Sequence, residues 1–262
     1  DLFAHVFGHE PWARAIHDEI LAAYRGAECF LRLTPAMSMP DLANTRSIAP
    51  VAALGRDCRG ELAARLDAAP HERIVLIAFG GFDKNLNAAE WPLTPGVRWL
   101  IPENWGIARE DMAALEPLRM NFTDLLRSVD AVLTKPGYGT FTEAACNGTA
   151  VLYVRRDDWP EQDCLIDWLE KHARCAEVGE AADHALDGRA LDANLLLAGD
   201  DGNLHDQPGG HHSLGALESS FANSAFQHGT VIEADSLAGV GMAIAFFPLC
   251  ATSRVRGVLA VT

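Results

Sequence analysis

The sequence predicts a parallel α/β sheet over residues 1–184, followed by a smaller α+β unit over 185–262. Three observations point there. Residues 73–79 are apolar on both faces, as a strand buried inside a parallel sheet must be. From there to about residue 178, apolar runs alternate with helical patterns, joined by glycine or polar loops. Past residue 179 the helical periodicity weakens, and the chain closes on two apolar runs across a short turn, the mark of antiparallel pairing.

Residues 10–26 place Trp12, Ile16, Ile20 and Leu21 at helical spacing, with Pro11 suited to the first turn and Gly26 to the stop. Residues 29–33 read as a short strand bounded by Pro35 and Pro40, and 50–53 as a second extended piece. Helix returns over 56–66. The strand at 73–79 runs into Gly80 and Gly81, at the carboxyl end where open α/β sheets bind ligands. Residues 97–101 are the next strand, 111–118 a short helix or a loop, and 121–128 a helix capped near Thr123. Strands follow at 131–133 and 148–154, then a helix at 161–172 and a short strand at 176–178. In the second unit, 194–198 reads as a strand, 199–202 as a hairpin-type turn and 213–227 as a helix, with 244–249 paired antiparallel to 254–261.

The chain is organised around residues 130–145. A short apolar strand turns through Lys135, Pro136, Gly137, Tyr138 and Gly139, and restarts as a helix. Thr140 is the expected N-cap, with Glu143 three residues on, as in a capping box. A helix N-terminus behind a glycine turn offers backbone N–H groups and the positive end of a dipole, which suits phosphate. The loops at 80–83, 135–140 and 155–163 would then converge on one crevice. A plain tight turn that binds nothing has the same local pattern. So does a solvated Lys135, or an Arg155 and Arg156 that only pair with Asp157 and Asp158.

Composition narrows the function classes. A net charge of −15 argues against a general nucleic-acid or anionic-membrane binder, though backbone amides and one lysine can bind phosphate in an acidic protein. The chain has no run near the ~18 apolar residues of a membrane span. The six cysteines are scattered without a CxxC pair, and no secretion signal is evident, which predicts reduced thiols in the cytoplasm. No metal is expected: His211 and His212 are adjacent, and on an extended segment they point opposite ways. The start lacks Met and the end stops in a strand, so both ends read as cut and a missing N-terminal half or partner domain is expected. An artificial joining of two fragments is a further reading.

With these motifs in place, residues 1–180 resemble the nucleotide-binding, C-terminal half of the glycosyltransferase B (GT-B) superfamily. They are most similar to the glycosyltransferase-like domain of L-arabinokinases. The likeness lies in Arg32 and Leu33 with Met39 and Pro40; Phe79, Gly80 and Gly81; Lys135 to Thr140 with Glu143 and Ala144; and Val154, Arg155, Arg156 and Asp157. It implies a Rossmann-like sheet binding a nucleotide-diphosphate sugar such as a UDP-sugar, with no cofactor. Phosphate would fall to Gly137, Tyr138, Gly139 and Thr140, aided by Lys135 or Arg155. Ribose would fall to Glu143, the sugar to Glu161 and Gln162, and the crevice wall to Gly80 and Gly81. The superfamily's base comes from the other half; His5 and His9 are the only early histidines to consider here.

Residues 190–262 resemble a GAF domain of potassium-responsive sensor kinases. The matching marks are Asp201 to Leu204, Ala222 to Gly229, Phe247 to Leu249, and Arg254 to Val261. That likeness implies the alternative function, a non-catalytic ligand-sensing protein.

Overall fold

The computed structural model describes residues 2–80, 87–156, 158–178 and 259–261. The chain divides into two compact units, Asp1–Val51 with His212–Thr262, and Ala52–His211.

The first unit holds helices α1 (Leu2–Phe7) and α2 (Ala13–Arg25) and strands β1 (Phe30–Leu33) and β2 (Thr45–Ile48). Leu21, Phe30 and Leu42 form its small buried cluster, and Tyr24 packs on Phe30 with ring centroids 5.1 Å apart. Asn44 ties α2 to the strands by donating to the Tyr24 and Ala27 carbonyls. The second extended segment is therefore 45–48 rather than 50–53, because its backbone pairs in parallel with β1 despite a polar sequence. The other neighbour of β1 is Leu259–Val261, also parallel. In the sequence these residues read as half of an antiparallel hairpin. The remaining GAF-like marks, and His211 and His212, lie outside the described residues.

The second unit is a six-stranded, all-parallel sheet. Its strands are β3 (Arg73–Ile77), β4 (Val97–Ile101), β5 (Met112–Ala114), β6 (Ala131–Thr134), β7 (Ala150–Tyr153) and β8 (Cys175–Glu177). They lie in the order β5-β4-β3-β6-β7-β8. The fold is thus mixed α/β with a Rossmann-like parallel sheet. Side chains alternate across it, as a pleated strand demands. Val75, Ile77, Trp99, Leu133 and Leu152 face one side, with Trp91 edge-on to Trp99. Ile74, Leu76, Leu100, Val132, Val151 and Tyr153 face the other. That second side is covered by helices α3 (Arg59–Leu66), α4 (Phe122–Ser128), α5 (Tyr138–Asn147) and α6 (Gln162–His172). Leu62, Leu126, Phe141 and Leu165 are among their fully buried contributions.

Cys164 on α6 and Tyr153 on β7 sit against this helical layer. Burial pushes the Cys164 thiol up to about 11 and the Tyr153 phenol to about 12. Both folded-state values are raised, so the neutral forms favour folding. Stability is therefore expected to fall as pH climbs from about 9, the ordinary thiol value, through about 12. Desolvation lowers the Lys135 ammonium and acts in the opposite sense. Urea unfolding at a series of alkaline pH values checks the sign; a stability that rises over this window would refute it. Iodoacetamide labelling followed by mass spectrometry adds a second reading. Cys164 in the folded protein should label far more slowly at mild alkaline pH than in urea.

Candidate functional site

The sheet order puts β3, β6 and β7 side by side and parallel, so the loops after them leave the same edge. Thr134, the last residue of β6, donates its hydroxyl to the Ala78 carbonyl at 2.6 Å, which ties two of these strand ends together. Gly80 follows with φ +64, the left-handed region that favours glycine. Gly81 lies outside the described residues.

Beyond β6 the chain passes Lys135 and Pro136 and enters α5. The helix begins earlier than expected: Gly137 is the N-cap, in extended backbone, and Thr140 sits inside the first turn. The capping box between Thr140 and Glu143 does not form. The Phe141 N–H bonds to the Gly137 carbonyl at 3.1 Å, and the Thr142 hydroxyl bonds back to Tyr138 at 2.8 Å. Gly139 and Thr140 lie in that first turn, where N–H groups have no acceptor within the helix. Tyr138 packs against the helical-side core.

The two glycines here are not demanded by the fold. A Cβ on Gly137 would meet only the Lys135 carbonyl, at 3.9 Å, and one on Gly139 nothing within 4 Å. Neither has a positive φ. They leave an open surface beside backbone amides at the positive end of a ten-residue helix.

Glu143 lies farther along α5, half-buried. Burial raises its carboxyl, while an N–H from Ala53 donates to it and opposes the rise. Glu161 is the N-cap residue of α6 and is buried, which raises its carboxyl too. Gln162 accepts the Arg156 N–H at 2.9 Å and so fixes the loop after β7.

The two arginines of that loop divide their roles. Arg155 is engaged by Asp163 at 2.8 Å and Glu177 at 3.1 Å in a surface network. Arg156 turns the other way. It stacks on Trp159 at 5.0 Å, pairs with Asp158 at 3.1 Å, and its charge contributes to lowering the Lys135 ammonium, after desolvation. Arg156, which the sequence analysis named beside Arg155 without giving it a phosphate role, thus adds positive charge near Lys135. The sequence reading also missed Asp124, Ser128 and Asn147, whose partners lie in residues 53–58, far away along the chain. His5 and His9 are exposed, and His9 lies 3.3 Å from Glu10. Among the described residues, no cluster of three or more His, Cys, Asp or Glu side chains could hold a metal ion. No described helix is long and apolar enough to cross a membrane.

No family model matches the chain. It is 28% identical over 168 residues to the L-arabinokinase of Arabidopsis thaliana, a match covering 60% of this chain and 15% of that protein. The chain thus aligns with about 15% of the length of this curated relative. Among solved structures, it is similar to the glycosyltransferase SnogD from Streptomyces nogalater. That match has a TM-score of 0.39 and 17% identity, over 60% of this chain and 44% of that one. It is also similar to the glycotransferase of kitacinnamycin, with a TM-score of 0.48 and 15% identity, over 84% and 61%. What the chain itself presents is a mixed α/β fold whose six parallel strands set a glycine turn and a helix N-terminus at the carboxyl end of β6.

Proposed function

We propose that the Ala52–His211 unit binds a nucleotide-diphosphate sugar, and that any reaction it supports is glycosyl transfer. The observation that carries this is the pair Gly137 and Gly139. Both leave space that neither packing nor backbone conformation requires, next to the first-turn amides of α5. In this reading the diphosphate rests on the amides of Gly139 and Thr140, with Lys135 and Arg156 adding positive charge. Glu143 accepts the ribose hydroxyls, and Glu161 and Gln162 border the sugar. Gly80 lies at the margin. The same donors would neutralise the diphosphate as it leaves, the usual electrostatic contribution to such a transfer.

Calorimetry with UDP on the full chain tests the reading. Gly137→Ala should leave the melting temperature unchanged, since its Cβ meets nothing closer than 3.9 Å, yet weaken UDP at least tenfold by crowding the amides. Glu143→Ala should weaken it by a similar factor. Absence of UDP binding by the unaltered protein would sink the proposal, as would a Gly137→Ala protein that binds normally.

A further inference from the structure

Thr142 stands inside α5 with 0% exposure, close to the buried Phe141 and Ala144. A threonine there is a poor helix former, and its buried hydroxyl needs a partner. The hydroxyl donates to the Tyr138 carbonyl at 2.8 Å and reaches the Gly139 carbonyl at 3.2 Å. The Tyr138 carbonyl shares one planar peptide with the Gly139 N–H, and the Gly139 carbonyl shares the next with the Thr140 N–H. Both N–H groups precede that of Phe141, which makes the first bond of the helix, to Gly137. One buried hydroxyl therefore holds the oxygen ends of the two peptides whose N–H ends have no acceptor within the helix. The turn has little else to fix it. Gly137 is the N-cap and Gly139 the second helical residue, and glycine leaves the backbone freer than any other residue. No side chain caps this helix end.

We propose that Thr142 is a positioning residue: from the core side, its hydroxyl holds the Tyr138 and Gly139 peptides so that their N–H ends are set for the diphosphate of the nucleotide. This rests on the reading of the site as one for a nucleotide-diphosphate sugar. The two glycines that open space for the diphosphate also loosen the turn, and the hydroxyl restores its order. A donor aimed before the ligand arrives loses less freedom on binding. A hydrogen bond to a peptide oxygen also polarises the N–H of the same peptide, which makes it a better donor to an anion. Thr142 touches no ligand in this arrangement and acts only through the two peptides.

The test compares UDP with uridine on the full chain, UDP by direct calorimetric titration and uridine by its displacement of UDP. Uridine lacks phosphate, so the ratio of the two affinities reads what the diphosphate adds. The unaltered protein should prefer UDP roughly a hundredfold, as two charge-assisted hydrogen bonds allow. Thr142→Val keeps the shape and removes the hydroxyl; it should lose about fivefold of that preference, the worth of one hydrogen bond, and bind uridine as before. Thr142→Ala should do the same, and decides the matter if Thr142→Val does not fold. Thr142→Ser keeps a hydroxyl and should keep the preference. Thr149 supplies the control. It precedes β7 at the amino end of the strand, is buried, and donates its hydroxyl to the Leu126 carbonyl at 2.5 Å. Thr149→Val should lower the melting temperature and keep the preference, which separates positioning from mere stability. An undiminished preference in a folded Thr142→Val or Thr142→Ala protein overturns the proposal and leaves the diphosphate site standing. An equal loss in Thr149→Val overturns it too. An unaltered protein that binds UDP no better than uridine, or binds neither, removes the site reading itself, and the proposal with it.

Discussion

Gly55→Val is expected to destabilise the Ala52–His211 unit by about 3 kcal/mol or more, enough to unfold many domains outright. A Cβ on Gly55 would stand 2.0 Å from the Thr123 carbonyl oxygen and 2.8 Å from the Asp124 nitrogen. These are backbone atoms in the first turn of α4, so no side chain can swing aside to relieve the clash. The segment would have to lift. Lifting it breaks the bonds from Gly55 to Asn147 and from Arg56 to Asp124. The Asp124 carboxyl, held low chiefly by its hydrogen bonds from Arg56, would lose that support. Urea unfolding measures the effect; a change within about 0.5 kcal/mol of the unaltered protein would show that the contact is not binding.

Phe141→Ala should cost about 3–5 kcal/mol, the range for emptying a large aromatic from a packed core. Phe141 is 0% exposed on α5 and meets Tyr153 of β7 edge-on, with ring centroids 5.9 Å apart. It anchors the helix that presents Gly139 and Glu143 to the strand beside it. The urea midpoint should fall with an unchanged m-value, since the unfolded chain exposes nearly the same surface. A midpoint that stays put would mean that the cavity collapses fully or that the ring is not packed as described. Nucleotide binding measured well below the transition should weaken less than for Gly137→Ala, because the ring points into the core against Tyr153 and its loss adds no atom beside the amides.

The sheet was readable where burial alone decides the residue types. β4 spans Val97–Ile101 as read from the sequence, and β3 needed only trimming at its carboxyl end. The three-residue β5, Met112–Ala114, was not readable, because its strand character comes from pairing with β4 and not from its own side chains. The same holds for β2, whose Thr45, Arg46 and Ser47 look like loop. At the site, the glycine turn and the helix announced themselves through local chemistry. The start of the helix did not. Thr140 is a better N-cap residue than Gly137, yet the chain enters the helix at Gly137 and gives the Thr142 hydroxyl to a back-bond instead. The partners of Asn147 are 92 and 94 positions away, and no periodicity reports a contact at that distance.

The two outermost strands of the six-stranded sheet, β5 and β8, are three residues each. Among the described residues, each therefore presents an outer edge of only about 10 Å of backbone. On β8, Glu177 also carries a charge, paired with Arg155. Strands are most often about five or six residues long, so these described borders are short templates for joining sheet to sheet. The same brevity that hid β5 from view in the sequence thus shortens the edges that the described sheet offers to another chain.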